Sequence, residues 1–171
     1  ADELFSGKFS PDWYQYFIGR IDSFEVQTSC PKGVIAYVYF FGTAMYVCPA
    51  ALTPNFTSLD LASVFMHEAR HIDGFPHITC SHGPRTGIQG ACDTRISDGG
   101  SYAVTVETYA QIAKYATGLH PALKAYSRAS SVIYADEAFE NQVRIDRTPG
   151  FLVMSNTGEF NKVDAQGQLK R

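Results

Sequence analysis

Two histidines one helical turn apart, His67 and His71, enclose a glutamate in the run His67-Glu68-Ala69-Arg70-His71, and nothing else in the 171 residues restricts the fold as tightly. On an α-helix, residues i and i+4 lie on one face. The two imidazoles therefore stand side by side, where one nitrogen of each can reach a single metal at about 2.0–2.1 Å. Glu68 is displaced by about 100° around the axis. From there it can address a metal-bound water without ligating the metal. Gly74 follows three residues after His71, and His77 three residues after that. A glycine there can take left-handed geometry and end the helix, so the chain can turn and bring His77 back to the same metal. Glu107 is the alternative third ligand, followed by Asp98 and Asp93. Arg70 and Asp73 are expected to face solvent or to support the ligands.

The flanking sequence predicts an α+β chain. Ser10-Pro11-Asp12 is a helix start, with Trp13, Phe17 and Ile21 at helical spacing over about 11–22. Residues 34–41 form a β-branched and aromatic run that Gly42-Thr43 interrupts and 44–48 resumes, which reads as a hairpin or two adjacent strands. Thr57 or Ser58 caps the motif helix, with Asp60 in its first turn, where its charge suits the helix dipole. Residues 76–100 read as a long loop containing five glycines. Helices follow over about 101–117 and from Pro121 to about Val143. The tail, 151–171, reads as a C-terminal β-hairpin turning at Asn156-Thr157-Gly158. His82 and His120 are expected in loops. Tyr102 and Tyr109, on the helix over about 101–117, are candidates for stabilising a tetrahedral transition state.

The chain has four cysteines, and sequence-local pairing gives Cys30–Cys48 and Cys80–Cys92. Such bridges imply an oxidising compartment, secreted or periplasmic. A thiolate metal site is disfavoured because no CxxC pair occurs. Charged residues make up only 18% and the net charge is -3. With no basic stretch, this argues against a nucleic-acid partner. No apolar run is long enough for a membrane span.

His67-Glu68-x-x-His71-x-x-Gly74-x-x-His77 resembles the metzincin signature of the zincin metallopeptidases. The resemblance implies a zincin-like fold, with a small β-sheet or hairpin packed on the active-site helix, and a catalytic domain over 1–150 extended by the hairpin 151–171. It implies zinc as cofactor, His67, His71 and His77 as ligands, and Glu68 as general base and acid. The implied activity is that of a protease, a hydrolase of amide bonds in a peptide, protein or peptidoglycan peptide. Metzincins also place a methionine in a tight turn beneath the zinc. Met154 is the one methionine after the motif. An exported, non-catalytic binding module with a structural zinc is the alternative. An intact Glu68 favours catalysis, since a structural site needs no general base.

Overall fold

The computed structural model describes residues 12–141 in full, and the backbone of 150–154, 160–164 and 169–170. The first helix, α1 (Trp13–Ile18), is shorter than its sequence pattern suggests. Asp12 caps it by accepting from the Gln15 N–H, and Gly19 closes it. Ser10 and Pro11 lie outside the described residues. Ile21 still reaches the core, because Arg20 and Ile21 both donate to the Phe17 carbonyl and fold the chain back.

Three strands follow: β1 (Ser23–Val26), β2 (Ala36–Val38) and β3 (Ala44–Val47). β3 lies in the middle, parallel to β1 and antiparallel to β2, with Ala36 opposite Val47 and Val38 opposite Met45. The expected antiparallel pair is therefore present, but its first strand is trimmed to three residues. Tyr39 to Gly42 form the turn, closed by Gly42 N–H to the Tyr39 carbonyl. β1, Ser23-Phe24-Glu25-Val26, alternates polar and apolar over only four residues, and all four side chains are exposed. The Cys30–Cys48 disulfide, with Cα atoms 5.8 Å apart, ties the β1–β2 connection to the end of β3.

The motif helix is α2 (Ser58–Ile72), opened by a complete capping box: Thr57 accepts from the Asp60 N–H, and Asp60 accepts from the Thr57 N–H. Met66 and Ala69 face the core, beside Met45 and Val47 of the sheet. Helix α3 (Ser101–Tyr115) packs on both α2 and α4 (Pro121–Glu137). Small buried residues, among them Ala103, Ala125, Ser127 and Ser130, let these helices approach closely. Ser131 Oγ donates to the Val106 carbonyl across the α3–α4 contact. His120 is the N-cap of α4, its Nδ1 accepting from the Ala122 N–H, rather than a plain loop residue.

α4 also stops earlier than its pattern, which runs to Val143, a residue outside the described set. Past Glu137 the backbone is recruited elsewhere: Asp93 N–H donates to the Ala138 carbonyl and Glu140 N–H to the Asp93 carbonyl. Phe139 is thereby fully buried, a placement that stabilises by about 1.5–3 kcal/mol. The C-terminal segment forms three antiparallel strands, β4 (Gly150–Met154), β5 (Phe160–Asp164) and β6 (Leu169–Lys170), one more than a hairpin. The expected turn at Asn156-Thr157-Gly158 lies outside the described residues. Met154 belongs to β4, paired with Phe160, so its backbone is an extended strand and not a tight turn.

Asp60 does more than cap. Oδ1 accepts from the hydroxyls of Tyr109 at 2.7 Å and Tyr126 at 2.6 Å, joining the start of α2 to α3 and α4. Burial raises its pKa, but the hydrogen bonds from Tyr126, Tyr109 and Thr57 outweigh this and hold it below the usual carboxylate value. A depressed folded-state pKa gives stability that is present above the unfolded pKa, about 3.9, and is lost as pH falls through the folded value. Asp60→Asn is therefore expected to lower the melting temperature at neutral pH, with the gap to wild type narrowing below about pH 4. Melting curves across that range test this, and a pH-independent gap would contradict it.

Candidate metal centre

Helix α2 delivers His67 and His71 on one face, and its C-terminus is fixed so that His77 can return. Gly74 closes the helix at φ +85°, which a side chain would resist although nothing crowds the position. Asp73, the C-cap residue, accepts from Tyr16 Oη, Arg20 Nε and Arg70. Arg70 is only 7% exposed. Its Nε donates to the Gly99 carbonyl at 2.7 Å, and its guanidinium covers the Phe75 ring. Arg70 and Asp73 thus belong to a clamp between α1, the end of α2 and the approach to α3, and not to a solvated face.

The three imidazoles converge. One ligand atom of each of His67, His71 and His77 lies within 4.8 Å of those of the others, a group that could hold a metal ion. Hydrogen bonds at the opposite nitrogens assign the tautomers. His77 Nδ1 is 2.7 Å from Asp93 Oδ1, and a carboxylate only accepts, so Nδ1 carries the proton. His71 Nδ1 is 2.6 Å from the Phe75 carbonyl, with Ser101 Oγ at 3.1 Å, and is protonated for the same reason. Thr105 Oγ1 donates to the Ser101 carbonyl and so accepts from His67 Nδ1, 2.9 Å away. In the neutral form each ring then presents its Nε2 lone pair. His67 Nε2 and His77 Nε2 stand 2.9 Å apart. A cation shared by the rings suits converging lone pairs, and supporting bonds at Nδ1 are the usual means of orienting ligating histidines. Protonation is disfavoured. His67 is held well below the ordinary histidine value by burial, by His71 and His77, and to a lesser degree by Arg85. His71 is lowered to about 4 by burial and by His77.

These rings open on a cavity of about 770 Å³ between α2, α3, α4 and strand β2. Asp60, Ser63, Val64, His67, Glu68 and His71 line it as one stripe of α2. Glu68 is 8% exposed. Among the described residues its carboxylate makes no hydrogen bond, and burial alone raises its pKa to about 8. Tyr102 packs its ring against His67 and His77, with centroids 4.7 and 4.6 Å away. Tyr109 also lines the cavity, but its hydroxyl proton is given to Asp60.

The alternative ligands fall elsewhere. Glu107 is fully buried on α3, where it accepts from Gln111 Nε2 at 2.6 Å, and is not part of the histidine group. Asp98 is exposed in the turn before α3 and likewise outside the group. Asp93 meets the site through His77. Its second oxygen, Oδ2, accepts from the Tyr102 N–H at 2.8 Å. It thereby caps α3, whose own N-cap position, Gly100, has no side chain to do so. A Cβ on Gly100 would lie 2.5 Å from that same oxygen, so the carboxylate occupies the space a side chain would need. Sequence reasoning missed this orienting role. The available signal was a Gly99-Gly100 pair directly ahead of a helix, which demands a cap from another segment. The disulfide Cys80–Cys92 ends one residue before Asp93. His82, expected at the surface, is half-buried, its Nε2 bonded to the Glu140 carbonyl.

Asp93→Asn is expected to weaken divalent-metal binding by about 10–100-fold, through loss of the charge that orients His77. His77→Ala should weaken it further. Chelator competition measures both, and wild-type affinity in Asp93→Asn would refute the orienting role.

No family model matches the chain, and neither the curated proteins nor the solved structures give a significant match, so the assignment of the centre rests on its geometry.

Proposed function

We propose that this chain is a zinc-dependent metallopeptidase of the zincin kind, with His67, His71 and His77 as ligands and Glu68 as general base and acid. The observation that carries the reading is Glu68. It is a buried carboxylate with no hydrogen-bond partner among the described residues, adjacent in sequence to His67, and it opens on the same cavity as the three imidazoles. An ionisable group is expensive to bury unpaired, and a purely structural metal site has no use for one.

Zinc fits the donor set. Imidazole nitrogens suit it, three protein ligands with an open fourth position are the catalytic arrangement, and donors of a tetrahedral site lie roughly 3.3 Å apart. His67 Nε2 and His77 Nε2 are 2.9 Å apart and all three ligand atoms lie within 4.8 Å of one another, a spread compatible with that value. When bound, zinc would polarise the scissile carbonyl and make a water more acidic. Glu68 takes one proton from the attacking water at a carboxylate oxygen. Water oxygen bonds to the carbonyl carbon, and the C–N bond breaks as Glu68 returns the proton to the departing nitrogen, giving an acid and an amine. Tyr102, packed on His67 and His77, is the better placed of the two tyrosines to support the developing oxyanion. The hydroxyl of Tyr109 is engaged by Asp60.

A peptide substrate is supported by the sheet. Strand β2 pairs with β3 on one side, and residues 35–38 line the cavity. An extended chain can add along such an edge by main-chain hydrogen bonds. A peptide cross-link of peptidoglycan offers the same backbone. Two disulfides support an oxidising, extracytoplasmic setting. No helix among the described residues is long and apolar enough to cross a membrane.

Glu68→Gln is expected to keep zinc at wild-type stoichiometry while hydrolysis of a mixed peptide library falls by about 10²–10⁴-fold. Metal analysis and product detection on both proteins test this. Equal hydrolysis by the two would remove Glu68 from the reaction.

A further inference from the structure

We propose that Arg85 is a carboxylate-recognition residue of this cavity, binding an acidic group of the substrate beside the histidine cluster. That the ligand is a peptide rests on the peptidase reading above. The assignment of Arg85 itself rests on three observations.

Arg85 is the one Lys or Arg side chain among the residues that line the cavity. Among the described residues no carboxylate lies within ion-pair distance of it, whereas Arg20 and Arg70 both pair with Asp73. A half-buried guanidinium with no counter-charge in reach is available to an anion that arrives from outside.

The side chain is also held in place. Its Cζ lies 5.1 Å from the Tyr102 ring centroid and 5.0 Å from that of Tyr134. Nη1 donates to the Ala91 carbonyl at 3.3 Å. The guanidinium is also within hydrogen-bond reach of the Tyr102 hydroxyl, and with five N–H donors in the fork these contacts leave others for a ligand. The Tyr102 ring that carries Arg85 also touches His67 and His77, so an anion on the guanidinium lies close to the reacting centre.

The loop that presents Arg85 is preformed. The Cys80–Cys92 disulfide closes it, Gly87 N–H donates to the Cys80 carbonyl, and a single 3-10 turn, Gly83–Arg85, sets the direction of the side chain. A cation fixed in advance binds with little ordering loss, and a planar fork suits a carboxylate. Asp60, held ionised by its hydrogen bonds, repels a carboxylate at the other end of the α2 stripe that lines the cavity. The carboxylate can be the C-terminus of a peptide or an Asp or Glu side chain within it.

The test is calorimetric titration of the zinc-loaded Glu68→Gln protein, which holds peptides without turnover. Two matched pairs serve as probes: N-acetyl-tetra-alanine as free acid and as amide, and N-acetyl-Ala-Glu-Ala-Ala amide against its Gln counterpart. The acidic member of at least one pair is expected to bind about tenfold more tightly. That ratio should fall to near one when Arg85→Ala is added, and Arg85→Lys should restore part of it. Arg85→Gln, shorter but polar and still a hydrogen-bond donor, provides the uncharged variant if the alanine form does not fold. Preference in the first pair assigns the C-terminal carboxylate, and in the second a side chain. Equal binding within both pairs, no binding of any probe, or a preference that survives loss of the Arg85 charge overturns the proposal. Hydrolysis by wild type is read separately. Charge-selective binding with no cleavage would retain Arg85 and reject the peptidase reading.

Discussion

The Asp93 carboxylate is the interaction on which the rest of the centre depends. One oxygen fixes the proton on His77 Nδ1, and the other caps α3 through the Tyr102 N–H. Its backbone pairs with Ala138 and Glu140 beyond the end of α4. A single residue therefore sets the third imidazole, the start of the helix that carries Thr105 and Tyr102, and the strand-like return after α4. The carboxylate is tolerated at 5% exposure because each of its two oxygens accepts a hydrogen bond. The disulfide at Cys92 holds the same point covalently.

The same economy appears at the two ends of α2. At the N-terminus, Asp60 binds Thr57 and two tyrosines from different helices. At the C-terminus, Asp73 gathers Tyr16, Arg20 and Arg70. Between them a stripe of α2 is left facing the cavity, and on that stripe only Glu68 lacks a partner for its charge. Stability is built from satisfied carboxylates, and the unsatisfied one sits where chemistry is proposed. That contrast separates Glu68 from the other buried acids more clearly than burial alone, since Asp60, Asp93 and Glu107 are as deeply placed.

Much of the framework was legible in the residues. The α2 boundaries follow from Thr57, Asp60 and Gly74, because caps and left-handed glycines act through local backbone hydrogen bonds. Both disulfides follow from local pairing. β1 was not legible, because four alternating residues are too short a signal and the strand exists by pairing with Ala44–Val47, some twenty residues away. The end of α4 was misjudged because Phe139 continues a helical pattern while its backbone neighbours bond to Asp93. Met154 fits neither a turn nor a sequence-local rule, and its strand depends on partners in β5.

Sequence alone determined that His67 and His71 share a face with Glu68 beside them, since a helix fixes residues one turn apart regardless of what surrounds it. It also placed a turn after Gly74 that allows His77 to return. Only the tertiary structure decided that His77 does return, that Asp93 hydrogen-bonds it while Glu107 lies outside the histidine group, and that Arg85 joins the cavity. Those outcomes depend on contacts between segments far apart in the chain, among them Asp93 with Tyr102 and with residues 138–140. No local periodicity records them, because the partners meet only when α3 and α4 pack against the motif helix.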